Sequence, residues 1–313
     1  MAEHFLQQAD KPLLDRLAII GIGLIGSSIA LAARHLKLAG HVVLYDVAPQ
    51  VRDEAVRLGL GDEMANSFAD AAAQADLVIA CVPVGACGSV AAEIAPHLKP
   101  GAIVSDVGSV KGAVAKAMAE HLPAHARLVP AHPVAGTENS GPAAGFATLF
   151  VNRWCIITPP NGTDAQAVDR VREFWEGMGA NVEIMSTEHH DLVLAVTSHL
   201  PHLIAYNIVG TADDLESVTQ SEVIKFSAGG FRDFTRIAAS DPTMWRDVFL
   251  HNKEAVLEVL ARFNEDLSAL ARNIRWGEGE KLFELFSRTR DIRRSIVKQG
   301  QETAEPDFGR RRE

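Results

Sequence analysis

The chain has 313 residues, 47% of them apolar, with 30 Lys and Arg set against 40 Asp and Glu. That length exceeds what one hydrophobic core usually supports, so two domains are expected. A net charge of -10 argues against a nucleic-acid partner, which needs a clustered excess of Lys and Arg. Cys81, Cys87 and Cys155 are too few and too scattered for a disulfide framework or a zinc site, which fits a reducing cytoplasm. The opening MAEHFLQQADKP is polar, lacks a signal-peptide core and reads as a frayed leader. From Leu17 to Ala33 seventeen residues carry no charge, close to the ~18 of a membrane helix. No second apolar span is expected and the glycines in this one have another use, so no membrane partner is expected.

Short β-branched runs then alternate with Ala-rich stretches. Strands are predicted at Leu17–Ile20, Val42–Tyr45, Leu77–Cys81, Ile103–Ser105, Arg127–Pro130, Cys155–Thr158 and Asn181–Met185. Helical spacing fills most of the gaps, as at Gln50–Leu58, Val90–His97 and Val110–His121. Such alternation builds a doubly wound, mostly parallel α/β sheet, and the continuous apolar strands suit burial on both faces.

Within this half, LAIIGIGLIGSSIALAA sets Gly21, Gly23 and Gly26 as GxGxxG behind the first strand, with Leu24 and Ile25 opening the helix that follows. Gly21 permits a tight turn, Gly23 lets backbone approach a pyrophosphate, and Gly26 lets helix and strand pack closely. The helix N-terminus offers N–H groups to the phosphates. The second strand ends in Asp46, twenty residues past Gly26. A carboxylate there accepts hydrogen bonds from both ribose hydroxyls of NAD and repels the 2′-phosphate of NADP. No Arg follows immediately, the next residues being Val47 and Ala48, so NAD is the cofactor expected. In CVPVGAC, Pro83 cannot continue a central ladder. The chain therefore leaves the sheet at Val82, and Val82 and Pro83 are either cofactor contacts or an ordinary strand exit.

SDVGSVKG follows another strand, with Ser109 expected to cap a helix from Val110. His132 follows the strand Arg127–Pro130, so both residues are expected at the carboxyl edge of the sheet, beside the nicotinamide. Dehydrogenating an alcohol requires a group that takes the hydroxyl proton as hydride leaves carbon. Neutral histidine, with an ordinary pKa of ~6.5, can do so, and the Ser109 hydroxyl can orient it or bridge to substrate. The alternative is a loop histidine beside Pro133.

After Met185 no strand is expected, and helical segments run from Thr187 to the tail, placing a domain boundary near residue 186. SDPTMWRDVF starts one helix, with Ser240 or Asp241 as N-cap and Pro242 in the first turn. The stretch to about Ile274 is amphipathic, and long apolar faces of this kind bury against a second copy, so a homodimer is expected. His199 and His202 share a helix face, but no third ligand accompanies them, nor the cluster of His189, His190 and Asp191. No metal is expected, and lining of a substrate cleft is preferred. Gly229 and Gly230 precede a helix expected to carry Arg232 and Arg236 one turn apart, with Asp233 between. The planar fork of Arg binds carboxylates, so one of these can anchor an acidic substrate. Trp245 lines the same cleft or belongs to the core.

In chain order, GIGLIGSS, Asp46, DVGSVKG, AHPVAGTENSGPAAGF, TSHLPH and GGFRDFTRIAASDPTMW resemble the prephenate and arogenate dehydrogenases of tyrosine biosynthesis, from about residue 17 to about residue 298. The AHPxAGTExSGP block is far more specific than the glycine fingerprint. The resemblance implies a Rossmann-type NAD-binding domain at 12–185 and an all-helical substrate and dimerisation domain at 186–298; residues 299–313 read as a disordered tail. It further implies that His132 bonds the ring hydroxyl and assists hydride transfer, with Ser109 in support. Thr137 and Glu138 would sit at the cleft, His199 and His202 would line it, and Arg236 would bind the ring carboxylate with Asp233 and Trp245 nearby. The GGF helix would reach toward the partner subunit's site. The reaction implied is oxidative decarboxylation of prephenate to 4-hydroxyphenylpyruvate, or of arogenate to tyrosine, with Asp213, Asp214 or Glu216 as candidates for the arogenate ammonium. Two rival readings are a β-hydroxy-acid dehydrogenase using Lys225 or Lys253, and a non-catalytic dinucleotide sensor whose helical half binds a protein.

Overall fold

The computed structural model describes residues 11–137, 139–215 and 228–298, with no side-chain description beyond residue 296. Residues 1–10 of the leader, Glu138, Glu216, Lys225 and the tail 299–313 lie outside the described residues. Two units result. One runs to Asp191 and takes in Asp241–His251; the other holds Leu192–Ser240 and the chain from Asn252 on.

The first unit begins with strand β1 (Leu14–Ile20), helix α1 (Leu24–His35), β2 (Ala39–Tyr45), α2 (Pro49–Arg57), β3 (Glu63–Met64), α3 (Phe68–Ala72) and β4 (Leu77–Ala80). It continues through α4 (Cys87–Ile94), β5 (Ile103–Asp106), α5 (Gly112–Ala119) and β6 (Arg127–Leu128). These strands form one parallel sheet in the order β3-β2-β1-β4-β5-β6, the doubly wound order in which the chain reverses direction between β1 and β4. Ile19 stands between Leu44 and Ile79 in register, and β4 and β5 are buried along their whole length, as strands covered on both faces must be. The uncharged segment from Leu17 is therefore strand, turn and helix rather than one continuous helix.

The strand predicted at Arg127–Pro130 is cut short, and the next one begins directly after it. Only Arg127–Leu128 joins the large sheet; β7 (Ala131–Pro133) leaves it for a second sheet with β8 (Trp154–Ile157) and β9 (Asn181–Ile184), while α6 (Ala165–Gly177) connects β8 to β9. Pro130 has no N–H with which to extend the parallel ladder, and its carbonyl instead accepts from the Thr158 N–H at 2.9 Å. β7 pairs antiparallel with β8, and β8 parallel with β9. One continuous core of aliphatic residues closes with Phe150, Phe174 and Trp175 in edge-to-face contact. All three cysteines are free. Burial pushes Cys87 up to about 12 and raises Cys81 and Cys155 well above the ordinary thiol range, so each remains a neutral thiol.

From residue 187 on, every described element is helical. α7 (Thr187–Leu194) begins in the first unit; a widened π-turn at Ala195–His199 and α8 (Leu200–Asp214) follow. The second unit also contains α9 (Gly229–Thr235), while α10 (Pro242–His251) belongs to the first unit. α11 (Lys253–Arg275) and α12 (Gly279–Lys298) complete the second. Thr187–Asp214 is, by length and composition, apolar enough to cross a membrane, which corrects the expectation that no second apolar span exists. α9 ends at Thr235, so Arg236 opens a 3-10 turn (Arg236–Ala239) and does not share the α-helix of Arg232 as predicted. The Tyr206 hydroxyl donates to the Ser240 carbonyl at 2.7 Å, tying α8 to the end of that turn.

Candidate active site

Each glycine of the fingerprint has a separate steric reason. Gly21 adopts φ +96°, and a Cβ there would overlap the Cys81 carbonyl. A Cβ on Gly26 would overlap the Gly21 carbonyl, so the opening of α1 lies directly on the turn. At Gly23 a Cβ would meet nothing within 4 Å, and no side chain caps the helix that starts behind it. An open glycine before an uncapped helix N-terminus is a cradle suited to a pyrophosphate. Leu24 and Ile25, in the first turn, pack against the core. Val82 lies beside Gly21, and Pro83 precedes a 3-10 turn at Val84–Ala86, where the chain leaves β4.

Asp46 caps the neighbouring strand. One of its oxygens accepts from the Ile22 N–H and the other from the Ala48 N–H, both at 2.9 Å. Each carboxylate oxygen has a second lone pair, so ribose hydroxyls remain acceptable donors. Arg52 was missed in the sequence. It reaches back from α2 to donate to the Asp46 backbone carbonyl at 2.7 Å and lies over the Tyr45 ring. Its only signal was its position on the first turns of α2. These residues fit NAD: glycines for the diphosphate and a carboxylate for the ribose.

His132 sits in the middle of β7, opposite Ile156, and not in a loop behind the large sheet. It is 7% exposed. Its Nδ1 lies 2.8 Å from Nε2 of His190, the rings meeting edge to face. His190 Nδ1 lies 2.8 Å from Asp191 Oδ1. The Asp191 carboxylate also accepts from the N–H groups of Lys111 at 2.8 Å and Gly112 at 2.9 Å, at the start of α5. Lys111, fully buried, pairs with buried Asp106 and donates to the Ala131 carbonyl at 2.7 Å, pinning the strand just before His132. Burial pushes His190 below the ordinary histidine value against the pull of Asp191, and the charge of Lys111 lowers it further. Burial also opposes ionisation of Asp191, but the bond from His190 and the two backbone donors outweigh it and hold the carboxyl below its ordinary range.

Ser109 does not cap a helix at Val110. It stands half-buried in the loop between β5 and α5, whose first residue is Gly112, because the Asp191 carboxylate takes the capping role two residues later. Thr137 Oγ1 accepts from the Asn139 N–H at 3.2 Å. Trp245 is buried on α10, its ring tilted against Phe249. Asp241 is the N-cap of α10, accepting from the Met244 N–H at 2.8 Å.

The second unit holds the remaining candidates. His199, fully buried at the end of the π-turn, accepts at Nδ1 from the Asn252 side chain at 3.0 Å. His202 donates from Nδ1 to the Ser198 carbonyl at 2.8 Å. Burial lowers the His202 pKa, the Ser198 bond opposes this, and the Arg236 charge lowers it further, so His202 and Arg236 are neighbours. Arg236, Arg232 and Asp233 are exposed. Asp213 and Asp214 are exposed at the end of α8, and Lys253 is exposed at the start of α11. Among the described residues no three His, Cys, Asp or Glu side chains converge as a metal site would require.

Two family models match the chain: the prephenate dehydrogenase nucleotide-binding domain over residues 29–184 and the prephenate dehydrogenase dimerization domain over 186–288. The cyclohexadienyl dehydrogenase of Zymomonas mobilis is 47% identical over 280 residues, which cover 90% of this chain and 95% of that one. The prephenate dehydrogenase of Bacillus subtilis is 35% identical over 280 residues, 89% of this chain and 75% of that one. The crystal structure of Aquifex aeolicus prephenate dehydrogenase in complex with hydroxyphenyl propionate and NAD+ superposes with a TM-score of 0.84 at 36% identity, covering 90% of this chain and 98% of that one. The chain belongs to the prephenate and cyclohexadienyl dehydrogenase family, NAD-binding oxidoreductases of tyrosine biosynthesis.

Proposed function

We propose that the protein catalyses the NAD-dependent oxidative decarboxylation of prephenate to 4-hydroxyphenylpyruvate in the cytoplasm, as a homodimer with NAD-binding and helical domains meeting near residue 186. What supports this reading most is the setting of His132: a buried histidine whose Nδ1 is hydrogen-bonded to His190, in the unit that carries the glycine cradle. NAD, when bound, supplies the hydride acceptor. His132 takes the ring hydroxyl's proton as the carbinol hydrogen leaves with its electron pair, and returns it to the same oxygen once the ring is aromatic. The electron pair of the breaking carbon–carboxylate bond enters the ring and CO2 departs, so hydride and CO2 are the net losses from the substrate. Ser109 orients the imidazole or the hydroxyl. Arg236 pairs with the ring carboxylate, whose charge it neutralises until release, with Asp233, Trp245, His199, His202, Thr137 and Glu138 shaping the cleft.

A second reading is favoured by the name of the Zymomonas mobilis relative: arogenate is used as well, or instead. Purified protein mixed with NAD and each substrate in turn decides between them by NADH formation. Prephenate is expected to be turned over at least about tenfold more efficiently, a difference of about 1.4 kcal/mol in transition-state binding. Preference for arogenate overturns the substrate assignment, and silence with both overturns the reaction. The β-hydroxy-acid reading is not favoured, because Lys253 is exposed at a helix start.

A further inference from the structure

The histidine pair and aspartate of EHHD read in the sequence as no more than polar lining of a cleft, yet two of them complete a hydrogen-bonded line ending at His132. Direction along this line follows from donor and acceptor chemistry. Asp191, with two backbone N–H groups aimed at its oxygens, is an acceptor only. His190 must therefore donate from Nδ1, which leaves its Nε2 as a lone pair while the ring is neutral. That lone pair faces His132 Nδ1 at 2.8 Å, so Nδ1 of His132 must carry a proton. The lone pair of neutral His132 is then on Nε2.

We propose that His190 and Asp191 are positioning residues that lock His132 in its Nδ1–H tautomer, present Nε2 as the base for the substrate hydroxyl, and stabilise the imidazolium formed when that proton arrives. This deepens, and for its kinetic consequences rests on, the reading of His132 as the base. One proton moves, from the hydroxyl oxygen to Nε2; the Nδ1–H stays in place and its bond to His190 strengthens as His132 becomes positive. The tautomer and the ring plane are thus set before substrate binds, so neither has to be found during the reaction. The charged groups around His190 are Asp191 on its own helix and Lys111 and Asp106 from across, the latter two paired with each other. Cys155, whose Sγ accepts from the His132 backbone N–H, is a neutral thiol and adds no charge.

The direct test needs no substrate and no variant. Nitrogen-15 NMR of the intact protein above the His132 titration is expected to show a protonated Nδ1 and a bare Nε2 on that ring; the opposite tautomer overturns the proposal. Asp191→Asn and His190→Phe are then compared with wild type. Both are expected to lower the His132 titration by about one pH unit, since the imidazolium loses its acceptor line. kcat for the preferred substrate is expected to fall about 10- to 100-fold with KM and NAD affinity within about threefold, and the acid limb of the kcat profile to move to lower pH. If either variant fails to fold, the other and the wild-type tautomer decide. Folded variants with an unchanged His132 titration and unchanged kcat also overturn the proposal. A wild type inactive on both substrates sinks the proposed reaction instead, while the NMR result still decides on the line itself.

Discussion

Gly23 and Gly26, three residues apart, are glycines for unlike reasons, and their substitution separates folding from binding. A methyl at position 26 collides with the Gly21 backbone carbonyl, which cannot move without distorting the turn; at position 23 it projects into open space. Gly26→Ala is therefore expected to lower the thermal midpoint and weaken NAD by at least about tenfold. Gly23→Ala is expected to keep the midpoint while losing NAD affinity, because the methyl occupies the approach of the diphosphate. Calorimetric titration and melting of both variants check this, and equal midpoint losses would contradict it. At this scale the fingerprint and Asp46 were legible in the sequence because their spacing is local. Arg52, Lys111 and His190 were not. Nothing in SVKG says that the lysine is fully buried against Asp106 and the Ala131 carbonyl, and nothing in EHHD says that its second histidine meets a residue 58 positions earlier.

Capping and ladder chemistry governed the elements more closely than propensity did. Asp241 was one of two caps that the sequence allowed, and its bond to the Met244 N–H selects it. Asp241→Ala is expected to destabilise the protein by about 1 kcal/mol, visible as a lower thermal midpoint, whereas Ser240→Ala should change it little. At α5 the same reasoning failed. Ser109 looked like a cap, but a carboxylate from 80 residues away reaches the Lys111 N–H, and the helix starts at Gly112. The segment Arg127–Pro133 reads as one strand followed by a loop; only the loss of a ladder donor at Pro130 and the availability of β8 make it two strands in two sheets. That exchange places His132 on regular structure, whose neighbours fix its ring, and not on a turn.

For the whole molecule, the outer surface of α11 and α12 carries the strongest unmet demand. Leu257 and Ile274 on α11, Trp276 directly after it, and Phe283 and Phe286 three apart on α12 are each more than half exposed in the second unit. Apolar surface of this density calls for a covering partner, and a second copy agrees with the dimerization domain that the family model names. Sedimentation at micromolar concentration is expected to report twice the chain mass, and Phe283→Asp with Phe286→Asp to shift it toward the single chain; a wild-type monomer would remove the dimer from the proposed function. The sequence by itself determined the parallel α/β half, the glycine cradle and its acidic partner, and the helical second half, because each is written in residue spacings shorter than a few turns of chain. Tertiary structure alone decided that β7 changes sheets, that Asp191 caps α5, and that His190 joins His132 to that carboxylate. These depend on groups 22 to 80 residues apart arriving within hydrogen-bond distance, and no local spacing encodes such meetings; only the packing of the folded chain brings them about.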